Sequence, residues 1–398
     1  TILNVPPVSW QVSKFEWPSV SGSTVIDLDS LRYGGVVLFA ESALDGQENR
    51  SETILNRIEN FNDGTFIGDD DLSAIKVLGA CRIKLFRNKG FEAGVLDLVP
   101  FQTLELQGPT SGTIGHRTFE NDSASSLNFT DTSCLGHSIT AYSGLGYKHQ
   151  VKAFIASDEN LVGDKLLMHR QCPALPETVG DILGGELYDH CNLPEMTVRN
   201  HEHNADNNIE SIAFAREPLE EFNITACKHP TNGTNRGEDC KNILQSASLG
   251  GAFQDLFNEV SAIIFGGNGK NRQAGVALYD EDNFEGKSEI FIVGDRNLEK
   301  NFIGTDSISS LKIIGKYKIT LYEKDRNDHD KNPGKILVFD NTENSVGIVE
   351  IKNLSSRSLD GTNNWDNKVS AVKIEVPQEI YLGQHLGAAS CTTALCEL

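Results

Sequence analysis

Side chains that could hold a hard metal ion recur in this sequence at a fixed spacing. The stretch IGDDDLSAIKV at 67–77 sets Asp69 and Asp70 four and three residues ahead of Ser73, then runs into alternating apolar residues. It returns as IGTDSISSLKI at 303–313 and NWDNKVSAVKI at 364–374. Looser copies are NDSASSLNF from Asn121, DNNIESIAF from Asp206 and FNEVSAIIF from Phe257, six copies in all. Their shared form is two acidic or amide residues, two spacers, a hydroxyl residue, a small residue and an apolar strand, with single departures in some copies. Adjacent carboxylates repel and form strands poorly, so alone they loosen the strand that follows. A bound cation reverses that sign. Calcium takes about 6 to 8 oxygen ligands from carboxylates, amides, hydroxyls, carbonyls and water. The same residues also make ordinary turns by bonding their own backbone; repetition in register is what favours an ion.

Such loops need elements to hold them. Upstream of several copies lies an aromatic followed five residues on by a second aromatic and then by x-Gly. It is clearest in Tyr279-Asp280-Glu281-Asp282-Asn283-Phe284-Glu285-Gly286. Phe86 to Phe91 with Gly94 is close, Phe39 with Leu44 and Gly46 is looser, and Asn160-Leu161-Val162-Gly163 keeps only the end. This reads as a strand turning into a folded hairpin, with Gly supplying a positive φ and the ring covering the bend. Each unit is then a strand, a folded hairpin, an Asp/Asn loop and a second strand. Runs such as Val36-Val37-Leu38-Phe39, Val276-Ala277-Leu278-Tyr279 and Ile319-Thr320-Leu321-Tyr322 support an all-β chain, as do 36 glycines. One exception is Phe253, Leu256, Phe257 and Val260, whose spacing predicts a short helix.

The pairing of YxxxxFxG with (N/D)(N/D)xx(S/T)S resembles the βγ-crystallin superfamily, whose domains are two consecutive Greek-key motifs forming a β-sandwich. The resemblance is strongest over 274–376, present over 34–130, and confined to the Asp/Asn loops over 150–265. It implies an all-β protein of three tandem βγ-crystallin-like Greek-key β-sandwich domains, at 31–145, 146–270 and 271–378, with an N-terminal extended strand segment at 1–30 and a tail at 379–398. It also implies calcium as the ion, with the two motifs of a domain paired head to tail and each lending a residue to the other's site. One pair of sites is then Asp69, Asp70 and Ser73 with Asn121, Asp122 and Ser125; another is Asp306 and Ser309 with Asp366, Asn367 and Ser370. The middle pair is Asp206 and Asn207 with Asn258 and Ser261, where Glu210 replaces a hydroxyl and Phe257 an acidic or amide residue. Thr305 likewise stands at a first acidic position, and Ala74 and Ala371 replace the last Ser, a residue the family keeps for structure.

The rest of the composition restricts the partners. A net charge of −21, from 56 acidic and 35 basic residues without a basic run, argues against nucleic acid and anionic membranes. No apolar run approaches the ~20 residues of a membrane span. The first residue is Thr1 with no leader, which is expected of a secreted chain after signal-peptide removal. Eight cysteines lie in neighbouring pairs, Cys81 with Cys134, Cys172 with Cys191, Cys227 with Cys240 and Cys391 with Cys396, and disulfides formed in that order are the simplest arrangement. Sequons at Asn49, Asn121, Asn128, Asn223, Asn232 and Asn353 point to a glycoprotein, although a glycan on Asn121 would compete with its use as a ligand.

Catalytic signals are lacking, and the chain reads as a non-enzyme. There is no GxSxG, no HExxH and no Cys/His nucleophile pair. His201-Glu202-His203 lacks a third ligand, and Asp325 to Asp330 lacks the Gly and Glu of an EF-hand loop and reads as a solvated hairpin. The segment Val8-Ser9-Trp10-Gln11-Val12 alternates as a strand. It either packs on its own first domain or adds to the sheet edge of a second copy, joining chains head to tail into a filament. The functional expectation is a secreted calcium-binding structural glycoprotein that can self-associate. The alternative is a secreted binding module such as an inhibitor, lectin or toxin-like component, with residues 165–205 as its irregular insertion.

Overall fold

The computed structural model describes residues 31–40, 51–61, 65, 67, 72–106, 124–144, 148–158, 160–161, 165–170, 199–204, 209–216, 222–229, 239–250, 253–256, 258–266, 271–292, 294–324, 334–343, 347–358 and 363–377. The described strands form six antiparallel sheets, which lie in three consecutive stretches of the chain, two sheets to each. The N-terminal strand segment, the C-terminal tail, and Cys172, Cys191, Cys391 and Cys396 lie outside the described residues.

The first unit contains β1 (Gly35–Phe39), β2 (Ser51–Ile54), β3 (Ala74–Leu78), β4 (Arg82–Asn88), β5 (Glu92–Leu98), β6 (Thr103–Glu105) and β7 (Ser126–Asp131). Its sheets run β2-β1-β3-β6 and β5-β4-β7. The second contains β8 (Ile139–Gly144), β9 (Lys148–Phe154), β10 (Lys165–Arg170), β11 (Arg199–Asn204), β12 (Ser211–Phe214), β13 (Ile224–Cys227), β14 (Cys240–Ile243), β15 (Ala247–Ser248) and β16 (Ala262–Phe265). Their orders are β11-β10-β9-β8-β12-β15 and β14-β13-β16. The third contains β17 (Gly275–Tyr279), β18 (Ser288–Phe291), β19 (Gly294–Asn297), β20 (Ser310–Ile314), β21 (Lys318–Tyr322), β22 (Ile336–Asp340), β23 (Ile348–Ile351) and β24 (Ala371–Glu375), in sheets β18-β17-β20-β23 and β19-β24-β21-β22.

In the third unit the first, second and fourth strands of each motif share a sheet, while the third crosses to the partner motif's sheet. That exchange is a Greek key doubled about a pseudo-twofold. The other two units reduce the first motif's third strand to a single bridge, Ile58 with Leu127 and Asp158 with Ile263. The second unit begins at β8, ahead of residue 146, because Ile139 to Tyr142 pair with Phe214 to Ser211. Its extra hairpin, β10 with β11, joins the sheet through Leu167 opposite Val151.

The central strands β1 (GVVLF), β17 (GVALY) and β20 (SLKII) are buried at every position, whereas the edge strand β22 alternates between exposed and half-buried residues. A strand covered on both faces reads as an unbroken apolar run, and here the second cover comes from neighbouring units. A Cβ on Gly275 would fall 3.0 Å from Ile155 Cδ1, and one on Gly35 would fall 2.6 Å from Ile292 Cδ1. Lys312 in β20 donates from Nζ to the Ser157 carbonyl at 2.7 Å and lies 4.2 Å from the Phe284 ring centroid. One apolar core therefore runs through the first and third units and takes in Ile155, Ala156 and Ala215 of the second, which otherwise has its own.

The short helix expected from Phe253, Leu256, Phe257 and Val260 is one 3-10 turn, Gln254–Leu256. Asn258 at φ 54° turns the chain out of helical geometry directly afterwards, although Leu256 and Val260 are buried as the spacing requires. Two of the expected disulfides are present, Cys81–Cys134 and Cys227–Cys240. Among the described residues no helix is long and apolar enough to cross a membrane.

Candidate metal centre

The six Asp/Asn loops are held by one repeated pair of backbone bonds. The residue at the hydroxyl position donates its N–H to a carbonyl at or within two residues of the end of its own motif's first strand. The six are Ser73 to Phe39, Ser125 to Phe86, Glu210 to Tyr142, Ser261 to Cys227, Ser309 to Tyr279 and Ser370 to Tyr322, at 2.8 to 3.0 Å. Its own carbonyl accepts an N–H from the partner motif: Leu106 to Ser73, Phe61 to Ser125, Leu249 to Glu210, Leu161 to Ser261, Leu354 to Ser309 and Leu298 to Ser370, at 2.7 to 3.1 Å. All six donors from the partner motif are buried apolar residues. Each loop is thus clamped by its own motif on one side and by its twin's core on the other.

The upstream hairpins set the other wall. The Tyr279 and Phe284 rings lie 5.6 Å apart, as do those of Phe86 and Phe91. Ser310 Oγ donates to the Glu281 carbonyl at 2.5 Å and accepts from the Phe284 N–H at 3.0 Å. Ser126 repeats this with the Asn88 carbonyl at 2.7 Å and the Phe91 N–H at 3.2 Å, which is the structural work expected of the last Ser. Gly286 is required, since at φ 83° a Cβ would lie 2.0 Å from Asp280 Oδ1.

In the third unit the oxygens cross between motifs. Ser309 Oγ donates to Asp366 Oδ1 at 2.5 Å and lies 3.3 Å from Asn367 Oδ1. Reciprocally, Ser370 Oγ lies 2.9 Å from Asp306 Oδ1 and 2.9 Å from the Glu323 carbonyl. Asp306 and Asn367 occupy the same left-handed conformation, φ 52° and 51°, which short amide and carboxylate side chains tolerate best. The Asp306 N–H bonds the Val369 carbonyl at 2.8 Å, and the Asn367 N–H bonds that of Ile308 at 3.2 Å.

The structure thus brings Ser309 against Asp366 and Asn367, and Ser370 against Asp306. In the second unit Asn258 and Glu210 meet in the same way, Nδ2 to Oε1 at 3.4 Å, so the carboxylate that replaced a hydroxyl still faces its twin; Ser261 holds its place in the ladder. In the first unit Ser73 and Ser125 donate to the carbonyls of Ala40 and Arg87 at 2.8 and 2.7 Å. Asp69, Asp70, Asn121, Asp122, Asp206 and Asn207 lie outside the described residues.

One residue was not singled out from the sequence. Asp282, in the hairpin before the Ser309 loop, accepts from Asn353 Nδ2 at 2.8 Å through Oδ2, while its buried Oδ1 has no partner. Burial first, and then Asp366, raise its pKa above the usual carboxylate range. The acidic run Asp280-Glu281-Asp282 was the available signal. Among the described residues no three His, Cys, Asp or Glu side chains gather at metal distance. An ion here would therefore rely on two carboxylates at most, completed by hydroxyl, amide and carbonyl oxygens, a hard donor set that fits calcium and not zinc.

Comparison with known proteins gives similarities of fold. The N-terminal domain of Protein S is 16% identical, with 26% of this chain and 98% of that one covered at a TM-score of 0.19. A βγ-crystallin domain from Flavobacterium johnsoniae is 24% identical, covering 26% and 96% at 0.19. Protein S complexed with calcium is 14% identical, covering 58% and 98% at 0.17. No protein-family model and no curated protein matches, so the architecture rests on strand order and register.

Asn353 is both sequon and structural cap, since its Oδ1 accepts from the Ser355 N–H at 2.6 Å. Of the other sequons, Asn128 lies in β7 and Asn223 just before β13, while Asn49, Asn121 and Asn232 lie outside the described residues. His201-Glu202-His203 lies in β11 opposite Leu166 to Met168.

Proposed function

We propose that this chain is a secreted, extracellular calcium-binding structural glycoprotein, stabilised by calcium and disulfides. The observation that carries this reading is the reciprocal contact of Ser309 with Asp366 and of Ser370 with Asp306. Calcium that binds only the folded form stabilises it by RT ln(1 + [Ca]/Kd), about 2.7 kcal/mol at a hundredfold excess over Kd. The site pair with Ser309, Asp366, Asn367 and the free Oδ1 of Asp282 is richer in oxygen than the Ser370 and Asp306 pair, and fills first. Calorimetric titration with calcium tests this: binding is expected for the wild type and reduced stoichiometry for Ser309→Ala with Ser370→Ala. An absence of heat and an unchanged melting temperature in chelator would sink the reading.

Two disulfides support an oxidising compartment. Self-association through the N-terminal strand completes the proposal, and deleting residues 1–20 is expected to shorten particles seen by electron microscopy. A second reading, a binding module, is favoured by the β10–β11 hairpin, which extends the second unit beyond the doubled Greek key.

A further inference from the structure

Where the three units meet, four short segments lie side by side. The Arg32 N–H bonds the Arg272 carbonyl at 3.0 Å, and the Ala274 N–H bonds that of Arg32 at 2.8 Å. The His137 N–H bonds the Asn271 carbonyl at 2.5 Å, the Gln273 N–H bonds that of His137 at 3.2 Å, and the Ala215 N–H bonds that of Ser138 at 3.0 Å. Gln273 pins the junction, accepting from the Gly136 N–H at 2.8 Å and donating to the Gly34 carbonyl at 3.0 Å. Every segment brings one basic side chain: Arg32, His137, Arg216 and Arg272.

Among the described residues these four have no carboxylate paired with them. Arg272 and His137 are each 2% exposed, whereas Arg32 and Arg216 are half-buried. Nε of Arg32, Nε of Arg272 and Nδ1 of His137 are buried without a hydrogen-bond partner. The Arg272 guanidinium lies 5.6 Å from the Phe265 ring centroid and places Nη2 at 3.5 Å from the Phe265 carbonyl. His137 stacks on Phe222 at 4.3 Å. None of the ion pairs among the described residues involves these arginines. Burial lowers Arg272 to about 10; burial, then Arg216, Arg272 and Arg32, lower His137 to about 4. Burying guanidinium groups without a counter-charge costs several kcal/mol per ion, and the described residues supply none, which favours an anion here.

We propose that the junction of the three units is a binding site for one small oxyanion, with Arg272 and His137 as its floor and Arg32 and Arg216 as its rim. Phosphate, sulfate and a free carboxylate share the required chemistry, accepting two or more N–H bonds from guanidinium forks. The ion ties Leu31–Gly34, Cys134–Ser138 and Asn271–Ala274 together and so fixes how the units sit on one another.

The experiment uses the full chain in chelator, with chloride exchanged for phosphate, sulfate or acetate at constant ionic strength. Equilibrium dialysis of labelled phosphate is expected to show one saturable equivalent, with a rise in the unfolding midpoint. Arg216→Gln, at the half-buried rim, and Arg272→Gln are each expected to weaken binding at least roughly tenfold. Lys84→Gln, at an exposed ion pair, leaves it unchanged. Acetate acting alone identifies a carboxylate ligand; phosphate and sulfate acting together identify an inorganic one. No saturable binding of any of the three, or binding that survives Arg216→Gln in a folded protein, overturns the proposal.

Discussion

The cross-motif contact can be measured by a double-mutant cycle between Ser309→Ala and Asp366→Asn. Ser309 is 4% exposed and its hydroxyl donates to a carboxylate at 2.5 Å. A shielded bond to a charged acceptor contributes about 1.5 to 3 kcal/mol, so a coupling of roughly 2 kcal/mol is expected in chelator. For the outer pair of units, about 200 residues that share one core, that corresponds to roughly 6 °C in their common melting temperature. Trp365 is 1% exposed and sits beside the loop, so its fluorescence reports on this unit once Trp10 and Trp17 are replaced by Phe. Denaturant unfolding in chelator and in calcium then gives two cycles. Calcium should stabilise the wild type most, each single variant less, and the double variant only to the extent that the Ser370 and Asp306 pair still binds. If the two substitutions are additive within about 0.3 to 0.5 kcal/mol in both conditions, the loops are neighbours without being partners.

Asp282→Asn is expected to stabilise the chelated protein, because it removes a carboxylate whose ionisation burial and Asp366 oppose, and to weaken calcium binding; opposite signs in calorimetry and melting are the readout. His137 is held near 4, below the ordinary 6.5, so its neutral form belongs to the fold and stability is lost as pH falls from 6.5 towards 4. The loss approaches roughly 3 kcal/mol relative to His137→Phe; parallel pH profiles for the two proteins would contradict it. Replacing Cys81 and Cys134 by Ala reopens a separation of 53 residues and should cost about 4 kcal/mol in urea unfolding; a change under about 1 kcal/mol would show that the loop is held by packing alone.

The strands that follow the six loops were legible because short oxygen-bearing residues and a period-two apolar pattern occur together, as in Asp366-Asn367 before Ala371–Glu375. The folded hairpins were legible from Tyr279, Phe284 and Gly286, where only a narrow set of residues fits. The crossing third strands were not. A contact such as Ile58 with Leu127 involves too few residues to show a period, and residues that clamp the loops, such as Leu161 or Leu249, look like any buried leucine. Asp282 was hidden because its relevance depends on Asp366, brought near only by topology. The basic junction was hidden for the same reason: Arg32, His137, Arg216 and Arg272 are scattered singly through an acidic chain.

The core shared by the first and third units changes what can be cut from this protein. A fragment ending after β16 would bare the apolar side of β1, and one starting at β17 would bare its own. Neither would behave as a free-standing bead. Heating the intact chain should accordingly give two cooperative transitions, one for the outer pair and one for the inserted middle, so that the smallest heritable piece that folds is larger than the repeat from which it was copied.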